Sequence, residues 1–256
     1  MAESQIDLSE YEEKLAYLRA FETVFLVDDS AAMAPYWDQV KELLDCISPI
    51  CAKHDPDGID IYFLNHRPKG FIEFLPGQSV RNSGYRRIGG FTQLQTRDSV
   101  AEIFTRVKPA GKCNLGARLS KLLGWYCHKV AKDTEFAGWN LIVLTAGKFD
   151  DDVKAPLVDA AKKLDHLNTP AHQLGIQLLQ LGTDAEVRNK FQYLDDELHR
   201  VAKTRDIIDA TAMGTSGSLT AEEMLKVVLG GVVKKLDECK LARPDQVPEK
   251  HVDLDD

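Results

Sequence analysis

Residues 28 to 33, Asp-Asp-Ser-Ala-Ala-Met, end an apolar run, TVFLV, on two carboxylates and a hydroxyl. A strand that delivers Asp-x-Ser-x-Ser would offer oxygen ligands to Mg2+ or Mn2+, small hard cations that want near-octahedral oxygen coordination. Asp28 and Ser30 fill the first two positions, but Ala32 stands at the third. Two further stretches carry groups suited to the same edge. One is Gly111-Lys112-Cys113-Asn114-Leu115-Gly116, and the other runs from Ala146 through Gly147, Lys148 and Phe149 to Asp150, Asp151 and Asp152. Asp29 would point away from Asp28, because alternate strand residues face opposite sides. Asp151 or Asp152 reads as the cap of the helix that follows.

Other chemistries have weaker footing. Cys113 precedes a helix pattern, where the helix dipole can favour a thiolate nucleophile. No histidine adjoins it in sequence, and a small buried residue is the plainer reading. His166 and His172 lack the i,i+4 spacing of a helical metal pair. There is no GxGxxG and no GxxxxGK[ST], and MGTSGS at 213–218 reads as a connector rather than a phosphate loop.

The 256 residues carry a net charge of −8, with a sequence pI of 5.4. That balance argues against nucleic acid, which calls for a basic face; the pair Arg86-Arg87 reads as a solvated edge. The opening MAESQIDLSEYEEKL has no apolar segment of the signal-peptide kind, and no run approaches the ~20 apolar residues of a membrane span. Five cysteines with no CxxC pair point to reduced thiols and a cytoplasmic setting.

The elements that must position these residues follow from hydrophobic pattern. TVFLVDD (23–29), GIDIYFLN (58–65), NLIVLTAG (140–147) and GIQLLQLG (175–182) are apolar along nearly their whole length. Such strands are buried on both sides, as in a parallel sheet covered by helices. DIIDATA (206–212) predicts an edge strand, and Tyr85 to Ile88 another within a Gly/Pro-rich loop over 66–95. Helical stripes run over 35–54, 115–130, 151–168 and 185–198, with Pro49 expected to kink or interrupt the first. Thr220, with Glu223 three residues on, predicts a capped final helix. The order predicts an α/β fold: a doubly wound, mostly parallel six-stranded sheet with helices on both faces. An N-terminal helix over 1–20, with Leu8, Tyr11, Leu15 and Leu18 on one stripe, would pack on a domain spanning 21–240. Residues 241–256 read as a disordered tail.

From Phe21 to Cys239 the chain resembles a von Willebrand factor A domain of the intracellular kind common in fungi. The resemblance rests on FLVDDS, DPDGIDIYFLNH, NLIVLT, GIQLLQLG, LDDEL and RDIIDA in that order. It implies a metal-ion-dependent adhesion site at the sheet's C-terminal edge, where Asp-x-Ser-x-Ser, a Thr and an Asp hold Mg2+ or Mn2+ and a partner's carboxylate completes the shell. Carried over, Asp28 and Ser30 match, while Ala32, Cys113 and Ala146 replace a Ser, the Thr and the Asp. Two alanines offer no ligand and a thiol is a soft one. The resemblance therefore implies a non-enzymatic module that binds a protein partner without the usual metal. Its binding surface would hold Asp28, Asp29, Ser30, Ala32, Cys113, Asn114 and Ala146, with Asp28 and Ser30 as residual metal ligands. A lectin-like or immunomodulatory role for another face, or a displaced metal site, stands as the alternative.

Overall fold

Where both faces of a segment are apolar, the chain runs as strand and disappears beneath helices. The computed structural model describes residues 12–55, 57–68, 80–88, 99–133, 135–213, 223 and 226–231. Its strands are β1 (Phe21–Val27), β2 (Ile59–Phe63), β3 (Tyr85–Ile88), β4 (Gly138–Thr145), β5 (Leu174–Gln180) and β6 (Ile208–Ala212). They form one sheet in the order β3-β2-β1-β4-β5-β6, parallel throughout except for the β2–β3 pair. The chain builds outward from β1 to one side, then returns to lay β4 on its other side. Strand order reverses between β1 and β4, which is where an open α/β sheet leaves a crevice at its C-terminal edge.

Helices cover both faces. In chain order they are α1 (Glu12–Leu15), α2 (Trp37–His54), α3 (Val100–Arg106), α4 (Leu115–Lys132), α5 (Lys154–His166), α6 (Ala185–Gln192) and α7 (Leu198–Ala202). Phe25 and Val27 of β1 pack on one side with Val40, Leu44 and Ile47 of α2 and Ile103 of α3. Val24 and Leu26 pack on the other with Leu119 and Leu122 of α4 and Leu157 of α5. Each such side chain, fully withdrawn from water, contributes about 1.5–3 kcal/mol. Leu15 and Leu18 join the α2 side of the core. Leu8, Tyr11, Thr220 and the expected tail over 241–256 lie outside the described residues. Residues 226–231 are helical, and the Val228 carbonyl accepts from the Asn140 side chain of β4 at 2.6 Å.

Three local outcomes differ from the sequence pattern. α2 runs through Pro49 without interruption. Pro49 stands near the helix end, where buried Cys51 and Ala52 hold the last turn and Asp55 N–H closes on the Cys51 carbonyl. α3, for which the hydrophobic pattern gave no boundaries, is held by a reciprocal capping box between Ser99 and Glu102. The stripe over 185–198 becomes α6, a π-helical turn at Tyr193–Glu197, and α7, which ends at Lys203 in a left-handed conformation with φ 54°.

Candidate functional site

Register decides which residues meet at the C-terminal edge. Val27 stands opposite both Leu144 and Phe63, so Asp28, Thr145 and Leu64 leave the sheet side by side. Asp28 N–H still donates to the Leu144 carbonyl at 2.9 Å, keeping its backbone in line while the side chain turns toward β4. Its carboxyl is fully buried and takes three donors from the chain itself. Ser30 N–H donates to Oδ1 at 2.8 Å, and the Thr145 hydroxyl and Cys113 thiol donate to Oδ2 at 2.7 and 3.2 Å. Burial, and then the adjacent Asp28 carboxyl, push the Cys113 thiol far above its ordinary range, so the sulfur stays protonated and acts as a donor.

Asp29 turns the other way, as strand alternation requires. Asn65 N–H and His66 N–H donate to its two oxygens, both at 2.8 Å, and the Asn65 side chain adds a third bond at 3.2 Å. Burial nonetheless raises the Asp29 pKa, with the backbone bonds from Asn65 and His66 opposing. His66 Nε2 also meets the Tyr85 hydroxyl at 2.9 Å, tying this corner to β3.

The three loops are sewn together above these carboxyls. Ala31 N–H donates to the Gly111 carbonyl (3.1 Å) and Ala110 N–H to the Asp29 carbonyl (2.7 Å), joining the first loop to the second. Cys113 N–H donates to Asp150 Oδ2 (2.7 Å), and Asp150 N–H returns to the Cys113 carbonyl (2.9 Å), joining the second to the third. Asp152 caps α5 through Lys154 N–H at 2.8 Å, in line with the sequence expectation. Asp151 does not; it reaches across to the N-terminus of α4 and accepts from Gly116 and Ala117 N–H at 2.9 and 2.7 Å. Gly116 is required there, because a Cβ would overlap the Asp152 carbonyl.

Exposure divides the seven residues named from sequence. Asp28, Asp29, Ser30, Cys113 and Ala146 are buried, Ala32 is half-buried, and Asn114 is exposed. Asp28 and Asp29 are thus committed to internal hydrogen bonds, and the exposed residues of the three loops are Ala31, Gly111, Lys112, Asn114, Lys148, Asp150 and Asp152. Sequence reasoning missed Thr145, Asn65 and the cross-loop role of Asp151. Thr145 and Asn65 had a signal, since each is a polar residue ending an otherwise apolar strand run. Beside the third loop lies a cavity of about 410 Å³ lined by Phe149, Lys154, Asn189 and Tyr193, among others. Phe149 stacks on Phe191 with centroids 5.9 Å apart, and Lys154 Nζ lies 4.2 Å from the Tyr193 ring centroid.

As ligands for a hard divalent cation, the donors at Asp28 fit poorly. Both carboxyl oxygens already face hydrogens of the chain, Cys113 offers a protonated sulfur, and Ala32 and Ala146 offer no side-chain ligand. Ala146 N–H is directed at the Met33 sulfur at 3.1 Å. Ser30 Oγ runs against this trend, for it is buried with no hydrogen-bond partner. Among the described residues no group of three or more His, Cys, Asp or Glu side chains could hold a metal ion, and no helix is long and apolar enough to cross a membrane. No protein-family model matches the chain, and no curated protein matches it.

Proposed function

We propose that this chain is a non-enzymatic recognition module of the von Willebrand factor A type that binds a protein partner in the cytoplasm, without a resident divalent cation. The observation that carries the reading is the closure of Asp28: the carboxyl that would lead a metal shell is buried and held by donors from Ser30, Cys113 and Thr145 of its own chain. Over it the three loops form one braced platform whose exposed members include Lys112, Asn114 and Lys148, which would make the contacts. The exposed charge of that platform is mixed, comprising Lys112 and Lys148 together with Asp150 and Asp152. The non-enzymatic reading is supported by Cys113, whose buried and protonated thiol is a poor nucleophile.

The test uses the full chain, immobilised, with captured protein quantified in EDTA and in millimolar Mg2+. Capture should be equal in the two buffers and fall about tenfold or more in a Lys112→Glu/Lys148→Glu/Asn114→Ala variant. Mg2+-dependent capture would overturn the metal-free reading, and capture indifferent to the triple variant would overturn the choice of surface. A second reading, a residual cation held by Asp28 and Ser30, is favoured by the unpartnered Ser30 Oγ. It predicts that Mg2+ or Mn2+ raises the melting temperature of the wild-type chain and not that of Ser30→Ala.

A further inference from the structure

The face of α4 that turns toward α5 thins out along its C-terminal half. Gly124, Cys127, His128 and Ala131 stand at i, i+3, i+4 and i+7, three of them small, and a Cβ at Gly124 would meet nothing within 4 Å. Across from them α5 and its end supply Lys162, Lys163, His166 and Leu167. The two helices, packed tightly elsewhere through Leu122, Leu157 and Leu164, therefore part to leave a groove of about 500 Å³.

The groove has a sign. Its lining holds two lysines and two histidines and no carboxylate, in a chain whose net charge is −8. The nearest carboxyl in sequence, Asp165, is held by Arg205 at 2.7 Å and by Arg205 N–H at 3.1 Å. Neither Lys162 nor Lys163 forms an ion pair among the described residues, and both are exposed. Cys127, 3% exposed, forms part of the floor as a free thiol. Burial pushes that thiol up to about 11, while Lys163 and then Arg205 pull it down, so the field of the rim reaches the floor.

We propose that the α4–α5 groove binds a small organic anion with an apolar body: the Gly124–Ala131 trough takes the body, and Lys162 and Lys163, with His128 and His166 beside them, take the acidic head. A hydrophobic slot with a few convergent polar groups at its mouth is the usual form of a small-molecule site. An ammonium rim over such a slot selects for carboxylate, sulfonate or phosphate heads, and binding should weaken with salt. This site is separate from the platform at the C-terminal edge and does not depend on the reading given to it.

The experiment is a fluorescence titration of the full chain with 1-anilinonaphthalene-8-sulfonate, an apolar body bearing one sulfonate, at low ionic strength and neutral pH. The wild-type chain should give saturable enhancement from one site, displaced by decanoate and by decyl phosphate, whose relative strengths identify the preferred head. A Lys162→Glu/Lys163→Glu variant should bind about tenfold more weakly or worse. Gly124→Leu, which fills the trough with no contact to relieve at its Cβ, should weaken the probe while leaving the charge unchanged. Circular dichroism of each variant checks folding. Absence of saturable binding, or equal affinity in the wild-type chain and both variants, would overturn the proposal.

Discussion

At the N-terminal edge of the sheet, the Tyr126 hydroxyl donates to the Gln173 carbonyl at 2.7 Å and accepts from the Gln173 side chain at 3.0 Å, which also donates to Phe136 O at 2.8 Å. Arg205 then covers the end of α5, donating to Leu164 O, Thr169 O and Pro170 O between 2.9 and 3.0 Å. At the C-terminal edge, Asp28 gathers three donors of three chemical kinds, one of them a thiol, and leaves Ser30 Oγ without any. The Tyr126–Gln173 knot is buried and joins neutral groups to carbonyls, and half-buried Arg205 beside it reaches carbonyls and the partly exposed Asp165 carboxylate, whereas the upper knot encloses a fully buried carboxyl. Burying a carboxyl requires more of its surroundings than burying a phenol. The upper knot is therefore the more sensitive of the two to the loss of any one member.

The largest effect that would expose this difference comes from Asp28→Ala. Removing the shared acceptor strands the Ser30 N–H, the Thr145 hydroxyl and the Cys113 thiol, and should cost about 3 kcal/mol in urea denaturation. Asp28→Asn, which keeps an acceptor oxygen, should cost less. Tyr126→Phe at the lower knot should cost about 1–1.5 kcal/mol, since one hydroxyl is lost while the Gln173 amide retains Phe136 O. If the two variants proved equally destabilising, the contrast between the ends would dissolve.

A smaller effect is set by pH. Burial lowers the folded pKa of His66 at the upper end and of His172 at the lower end below the unfolded value of 6.5. Their contribution to stability is complete above that value and is lost as pH falls through the folded values. Asp29 acts in the opposite sense. Its folded pKa is raised above 3.8, so the cost of its buried charge is relieved as the solution becomes acid enough to protonate it. At the upper end the Asp29 charge opposes the lowering of His66, whereas His172, with a buried and unpartnered Nδ1, is lowered by burial alone. Melting temperature should therefore fall as pH drops below about 6.5, and His172→Gln should flatten that fall more than His66→Gln. The reverse ranking would place the acid-sensitive end at the top.

Much of the fold was legible because its strands are apolar on both faces, a pattern that helices of this length do not share. NLIVLT and GIQLLQLG read as strands buried on both sides for that reason, and neither lies at an edge of the sheet. Tyr85 to Ile88 was readable as a short strand, but its antiparallel direction depends on pairing with β2, and its register shifts between Ile59 and Ile61. α3 carried a visible signal, Ser99-x-x-Glu102, that hydrophobic pattern alone does not weigh. The candidate site was legible in its loops and not in its bonds. That Asp28 would meet Thr145 follows from the parallel register of β1 and β4, which no local pattern encodes. That Asp151 would serve α4 rather than α5 depends on two loops 35 residues apart coming together.

The bonds between the three loops also set how that edge breathes. Ala31, Ala110, Cys113, Gly116, Ala117 and Asp150 each donate an amide to a neighbouring loop. Opening any one of these loops breaks bonds that hold another, because each acceptor belongs to a neighbouring loop. Their deuterium exchange should therefore follow one shared opening reaction, as members of a single cooperative unit. Loop tips of this kind ordinarily exchange within seconds and independently, whereas here six amides spread over 120 positions of sequence would open and close as one.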